Sequence, residues 1–199
     1  MIDVDDRLSK QIEFIIEVDK LKNVFRQNLL MDKSRYENDA EHSWHFAMMA
    51  IILYEYANPA EVNILRVLKM ATIHDLVEIY AGDTFAHDVI GNLDKEEREE
   101  KAAVRLFSLL PKDQGDEIYA LWKEFDQMKT PDAKFAAAMD RLASFIAISN
   151  TDGFTWQKHG VDSSKVYKRI EIVKEISPVL WDFVEHSINS SIDKKILIK

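Results

Sequence analysis

The chain has 199 residues, 47% apolar and 31% charged, a composition that suits a globular domain with a substantial core and excludes a disordered or membrane class. A net charge of −9 argues against a general nucleic-acid surface, because phosphate backbones are held by Lys and Arg. A small anionic substrate remains open if a metal or a few placed cations supply local positive charge. With no cysteine there is no disulfide framework and no thiolate metal site, which fits a cytoplasmic protein.

The opening "MIDVDDRLSK" is acidic where an export signal is basic and then apolar, so none is expected. Only 5 Gly and 4 Pro punctuate the chain, which favours long helices. "DDRLSKQIEFIIEVDKLKNVF" places Leu8, Ile12, Ile15, Ile16 and Val24 on a recurring helical face. After the polar break "KSRYENDAE" a second helix is expected from about Glu41 to Tyr56. Its apolar run, "WHFAMMAIILYEYA", is too short and interrupted to span a bilayer. "NPAE" restarts the chain with Pro59 at a first helical position. A third helix, from about Ala60 to Tyr80, is apolar nearly all round, as expected of a helix at the centre of a bundle, and Gly82 ends it. The loop "GDTFAHDVIGN" leads to an amphipathic helix from about Asp94 to Leu110. Two helices opened by Pro follow in "PKDQGDEIYALWKEF" and "TPDAKFAAAMDRLASFIAIS", and two more close the chain. No strand, repeat or linker is expected. The reading is an all-α, single-domain helical bundle over residues 1–199, with the motifs between about 15 and 150 and residues 160–199 completing it.

Ionisable groups stand out against this apolar background. His74 and Asp75 lie side by side in the third helix, and an ionised carboxylate in such a place needs a hydrogen-bond, ionic or metal partner. A buried His–Asp hydrogen bond or an edge facing water would account for the dipeptide alone. Glu78, three and four residues on, shares their side of the helix. In "NDAEHSWHFAMMA", His42 is either an ordinary first-turn residue behind an Asn38 or Asp39 cap, or a ligand; His45 reads equally as a core histidine. Asp140 is ringed at helical spacing by Ala136, Ala137, Ala143 and Ser144, which leave volume for a ligand; the alternative is a surface pair with Arg141. Two imidazoles and two carboxylates, His42, His74, Asp75 and Asp140, make a candidate site for one divalent transition metal: Mn, Co, Zn, Fe or Ni.

His42, the "HD" of His74–Asp75 and a distant Asp140, all on helices, resemble the HD-domain metal-dependent phosphohydrolase superfamily. More narrowly, "LKNVFRQNLL", "AEHSWHFAMMA", "HDLVEIYAGD" and "KFAAAMDRL" resemble the HD-domain 5′-deoxynucleotidase family over roughly residues 15–150. The resemblance implies His42, His74, Asp75 and Asp140 as metal ligands and Glu78 as the acid/base residue. Asp83 would position water or the substrate sugar, and Arg26 would bind phosphate. Gln27 stands where some bacterial members carry an aromatic residue thought to contribute to sugar discrimination, which puts a deoxyribose preference in question. A homodimer is implied as well, with "VLWDFVEHSINSSI" a source of interface.

The expected function is therefore a metal-dependent 5′-nucleotidase that removes phosphate from (deoxy)nucleoside 5′-monophosphates, with a small nucleotide as its partner and neither nucleic acid nor membrane. Another HD-type nucleotide hydrolase, acting on a triphosphate or an alarmone, is the enzymatic alternative. Ile79 after Glu78, where alarmone hydrolases show Glu–Asp, weighs against the latter. A helical protein with a structural metal is the non-catalytic alternative. Outside the motifs, His87 and Asp88 are expected in a loop near the pocket mouth, and Lys22, Lys33 and Arg35 are further nearby cations. Trp44, Trp122, Trp156 and Trp181 are expected in the core or an interface.

Overall fold

The structure, a computed structural model, describes residues 6–58 and 60–199. Pro59, expected to open a helix, lies outside the described residues. Helix α1 (Asp6–Val18) runs into a 3₁₀ turn at Asp19–Asn23. It packs through Phe14 and Val18, with buried Leu21 following, while Leu8, Ile12, Ile15 and Ile16 face outward. The apolar face read from the sequence is thus largely an exposed face.

The polar break contains a feature the sequence reading did not anticipate. Strands β1 (Phe25–Leu29) and β2 (Tyr36–Asn38) form an antiparallel hairpin, pairing Phe25 with Asn38 and Leu29 with Tyr36. Strands this short and polar carry too little alternation to register as a pattern, and their hydrogen bonds depend on a partner strand. Helix α2 (Asp39–Leu53) follows directly.

The expected third helix is not continuous. Asn63 caps α3 (Ile64–Ile73) by accepting from the Leu65 and Arg66 amides. His74–Val77 then form a turn, and α4 (Glu78–Ala81) resumes for four residues. The Glu78 amide bonds back three residues to Asp75 (2.9 Å) rather than four, the tighter pitch of a 3₁₀ turn. Gly82 ends the segment at φ 76°, ψ 148°, a conformation open to glycine but strained for other residues.

Helices α5 (Lys95–Phe107), α6 (Lys112–Gln127) and α7 (Pro131–Asn150) come next. Short α8 (Phe154–Lys158), α9 (Ser163–Ile170) and α10 (Ile172–Ile176) lead to α11 (Pro178–Asp193). The fold is all-α apart from the hairpin. Its hub is α7, not α3: α7 touches α2, α3, α6, α8, α9, α10 and β1. Ala133, Ala136, Ala137, Ala138 and Ala143 are all buried, and such small side chains let neighbouring helices approach closely. On α3, Leu65 is 70% exposed. One apolar core runs from Leu21 to Leu197. Among the described residues no helix is long and apolar enough to cross a membrane.

Candidate metal centre

The site is assembled largely at the ends of elements. Asn38 caps α2: its Oδ1 accepts from the Glu41 amide (3.0 Å), while the Glu41 carboxylate accepts from the Asn38 amide (3.2 Å). This reciprocal cap leaves Asp39 and His42 in the first turn, facing inward and buried. His74 is the residue on which α3 closes, and Asp75 and Glu78 project from the break that follows. Buried Leu76 and Val77 pin that break to the core. Asp140 comes from the middle of α7, and Arg26 from β1.

His42, His74 and Asp140 bring ligand atoms within 4.8 Å of one another. His42 Nε2 lies 2.9 Å from Asp140 Oδ1, and His74 Nε2 lies 3.1 Å from Asp75 Oδ2. His74 Nδ1 donates to the Ala71 carbonyl (3.0 Å), which can only accept. The lone pair of neutral His74 is therefore on Nε2. That nitrogen is buried 3.1 Å from Asp75 Oδ2; burial opposes a second proton there, but the Asp75 carboxylate outweighs it and raises His74 above its ordinary value. A metal ion could take that proton's place, and the backbone-anchored imidazole is the usual geometry of a metal-ligating histidine. The donor set of nitrogen and oxygen fits a divalent transition ion.

A second group, Asp39, Glu78 and Asp83, gathers beside the first, again with ligand atoms within 4.8 Å. Arg26 Nη1 bonds Asp75 Oδ2 (2.7 Å) and Asp39 Oδ1 (3.3 Å), and its Nε lies 3.8 Å from Glu37 Oε2. Asp39 Oδ2 and Glu78 Oε2 are buried without a partner.

Burial pushes the His42 imidazole down to about 4, with Arg26 adding to it, so His42 is neutral as a ligand must be. Burial works against the charged forms of Asp75 and Asp140, but their partners outweigh it. His74 and Arg26 hold Asp75 well below the usual carboxylate range, and the His42 hydrogen bond does so for Asp140. Burial raises Glu78 well above its ordinary value, reinforced by Asp75, Asp39 and Asp83. Glu37 and Asp39 are each raised to about 7, chiefly by burial, and Asp83 is raised for the same reason.

A cavity with about 1090 Å³ of empty space, its open mouth included, reaches this cluster. Arg26, His74, Asp75, Glu78, Asp83 and Asp140 line one part, and Phe85, Trp122, Phe125 and Trp156 supply aromatic walls. Trp122 and Trp156, expected as core or interface, also face this space, whereas Trp44 is exposed.

All seven residues singled out from the sequence meet here. His87 lines the cavity as expected, while Asp88 is spent accepting the Ile90 and Gly91 amides. His45 stacks on Trp44. Lys22, Lys33 and Arg35 pair with Asp19, Asp152 and Glu41. Arg141 does not form the surface pair with Asp140; it bonds the Arg169 carbonyl and Met128 Sδ. Sequence reasoning passed over Glu37 and Asp39. Glu37 sits on the unrecognised strand, and Asp39 reads as one of two adjacent cap residues until Asn38 is seen to take that role. It also passed over Arg141 as a cavity residue, and Arg169.

Fold and centre together define a helical protein with a His/Asp group that could hold a divalent ion, beside a ligand-sized cavity. The chain belongs to the HD domain family, whose model matches residues 18–181. The human 5′-deoxynucleotidase HDDC2 is 30% identical over 139 residues, 69% of this chain. The match spans 66% of that relative's length, just under two thirds. A Magnetospirillum magnetotacticum MS-1 protein described as a predicted metal-dependent phosphohydrolase has a crystal structure that superimposes with a TM-score of 0.93 at 49% identity, over 97% of this chain and 96% of that one. An HD-domain phosphohydrolase from Listeria innocua, 19% identical, shares the fold with a TM-score of 0.61 over 94% of this chain and 87% of its own.

Proposed function

We propose that this chain is a metal-dependent phosphohydrolase that removes phosphate from (deoxy)nucleoside 5′-monophosphates. The observation that carries the reading is the convergence of His42 from α2, His74 from the turn after α3 and Asp140 from α7, with Asp75 beside His74 Nε2. The names of the human and Magnetospirillum relatives support it.

His42, His74, Asp75 and Asp140 would hold the ion. A Mn, Co, Zn, Fe or Ni ion bound there supplies Lewis acidity toward a phosphoryl oxygen and lowers the pKa of a coordinated water. The Arg26 guanidinium faces the same space and offers a planar cationic fork to phosphate oxygens. Its ion pair with Asp75 fixes that fork next to a ligand carboxylate. Glu78 keeps its proton because burial and three neighbouring carboxylates oppose ionisation, and it delivers that proton to the departing sugar oxygen. Asp83, placed by the Gly82 turn, orients water or the sugar. The aromatic walls exclude water from the nucleoside and receive its base. The exposed apolar Val179 and Phe183 of α11 are consistent with a homodimer contact.

Phosphate release is measured from a panel of ribo- and deoxyribonucleoside 5′-monophosphates with Mn²⁺ or Co²⁺. Wild type releases phosphate, and Glu78→Gln loses roughly 10²- to 10⁴-fold in kcat. No release from any monophosphate with either Mn²⁺ or Co²⁺ overturns the reading.

A further inference from the structure

The cavity has two cationic poles, and they are neutralised very differently. Arg26 is met by Asp75, Asp39 and Glu37. Arg141 on α7 and Arg169 on α9 line the same cavity, and among the described residues neither is hydrogen-bonded to a carboxylate. Arg169 Nη2 comes no nearer than 3.9 Å to Asp140 Oδ2, beyond hydrogen-bond reach. Arg141 spends its Nη1 on the Arg169 carbonyl (3.2 Å) and its Nη2 on Met128 Sδ (3.0 Å), both neutral acceptors. Asp140 and Glu171 both act on Arg141, and Asp140 is already engaged by His42 at 2.9 Å.

Arg169 acts against the charge on the half-buried Arg141, and an anion held by both relieves that repulsion. A 5′-monophosphate does not satisfy them, since its one anionic group belongs at the ion and Arg26. The surplus acids Glu78 and Asp83 stand with Arg26, so a further negative charge on the substrate is driven to the Asp140 side. His87 lines that side too, and Lys165 and Arg169 both act on it. Paired arginine forks match the oxygens of a phosphoryl group.

We propose that Arg141 and Arg169 form an anion subsite for a second phosphoryl group, so that a nucleotide bearing two phosphoryl groups binds more tightly than the monophosphate. This rests on the phosphohydrolase reading above for the place of the first phosphate. The second group can be attached to the first or carried elsewhere on the sugar, and the test separates these cases.

Binding is measured by calorimetry in Mn²⁺-loaded Glu78→Gln protein, where turnover is suppressed. The probes are deoxyadenosine 5′-monophosphate, deoxyadenosine 5′-diphosphate and deoxyadenosine 3′,5′-bisphosphate. At least one two-phosphoryl probe is expected to bind ten times or more tighter than the monophosphate. Adding Arg169→Gln is expected to cut that advantage below threefold, with Arg169→Lys restoring part of it. Arg169 is largely solvent-facing, so the change removes charge without opening the core. Equal binding of all three probes, or an advantage indifferent to Arg169→Gln, overturns the proposal. A clear advantage in binding while wild type releases phosphate from none of the probes removes the hydrolase reading and leaves the anion subsite standing.

Discussion

Glu37 is buried with its nearest cation, Arg26 Nε, 3.8 Å away. That distance gives attraction without a hydrogen bond, so the loss of water dominates and the carboxyl rises from an ordinary 4.5 to about 7. A carboxyl raised on folding binds protons more tightly in the native state, so stability is greatest below the unfolded value and falls as pH climbs through about 7. Glu37→Gln mimics the protonated form at every pH. Thermal melts of metal-free protein should show it more stable than wild type by about 3 kcal/mol at pH 9 and nearly equal at pH 4. A pH-independent difference would mean that burial does not govern this residue. His74 shows the complementary logic: its Nδ1 proton is held by a backbone carbonyl, which turns Nε2 toward Asp75 and the proposed ion.

At the scale of elements, most of the candidate site residues sit where helices begin or break, Asp140 in mid-α7 and Arg26 on β1 being the exceptions. The Asn38–Glu41 cap defines the α2 start that aims Asp39 and His42, and the break after Ile73 is what turns Asp75 and Glu78 into one cavity. Asn38→Ala removes the acceptor for the Glu41 amide and should cost about 1 kcal/mol in denaturant unfolding. The frayed turn should also weaken Mn²⁺ binding, measured by calorimetry, although Asn38 is not itself a proposed ligand. Unchanged metal affinity would show that the core packing of α2, through Phe46 and Ala50, positions His42 without the cap. The α3 break was illegible in advance, because its apolar period continues through Leu76 and Val77 and nothing local marks the change of pitch. The face of α1 was misread for a related reason. Periodicity identifies an apolar stripe, but which stripe meets the core depends on where the next element turns, and here Phe14 and Val18 lead into Leu21.

Across the whole molecule, the proposed ligands come from α2, α7 and the turn after α3, and six acidic side chains (Glu37, Asp39, Asp75, Glu78, Asp83 and Asp140) crowd around one arginine. A divalent ion would offset that repulsion and tie three distant parts of the chain together. Chelation should therefore lower Tm, and Mn²⁺ at a hundred times its Kd should return about 2.7 kcal/mol, readable by differential scanning calorimetry. Asp140→Asn should abolish the response. A Tm indifferent to metal would argue against a folded-state ion site.

The sequence by itself determined the helical class and which ionisable residues to bring forward as a candidate site. Helical period and the scarcity of Gly and Pro act locally, and an ionisable side chain in an apolar run is conspicuous without coordinates. His42, His74, Asp75, Glu78, Asp83, Asp140 and Arg26 were legible for that reason, or by resemblance of the blocks that hold them. Only the tertiary structure decided that Arg26 lies on a strand, that Asp39 belongs to the site rather than to a cap, and that Arg141 and Arg169 share its cavity. Each of those facts is a distance between residues far apart along the chain, set by how α7 gathers its neighbours, and no local pattern encodes it.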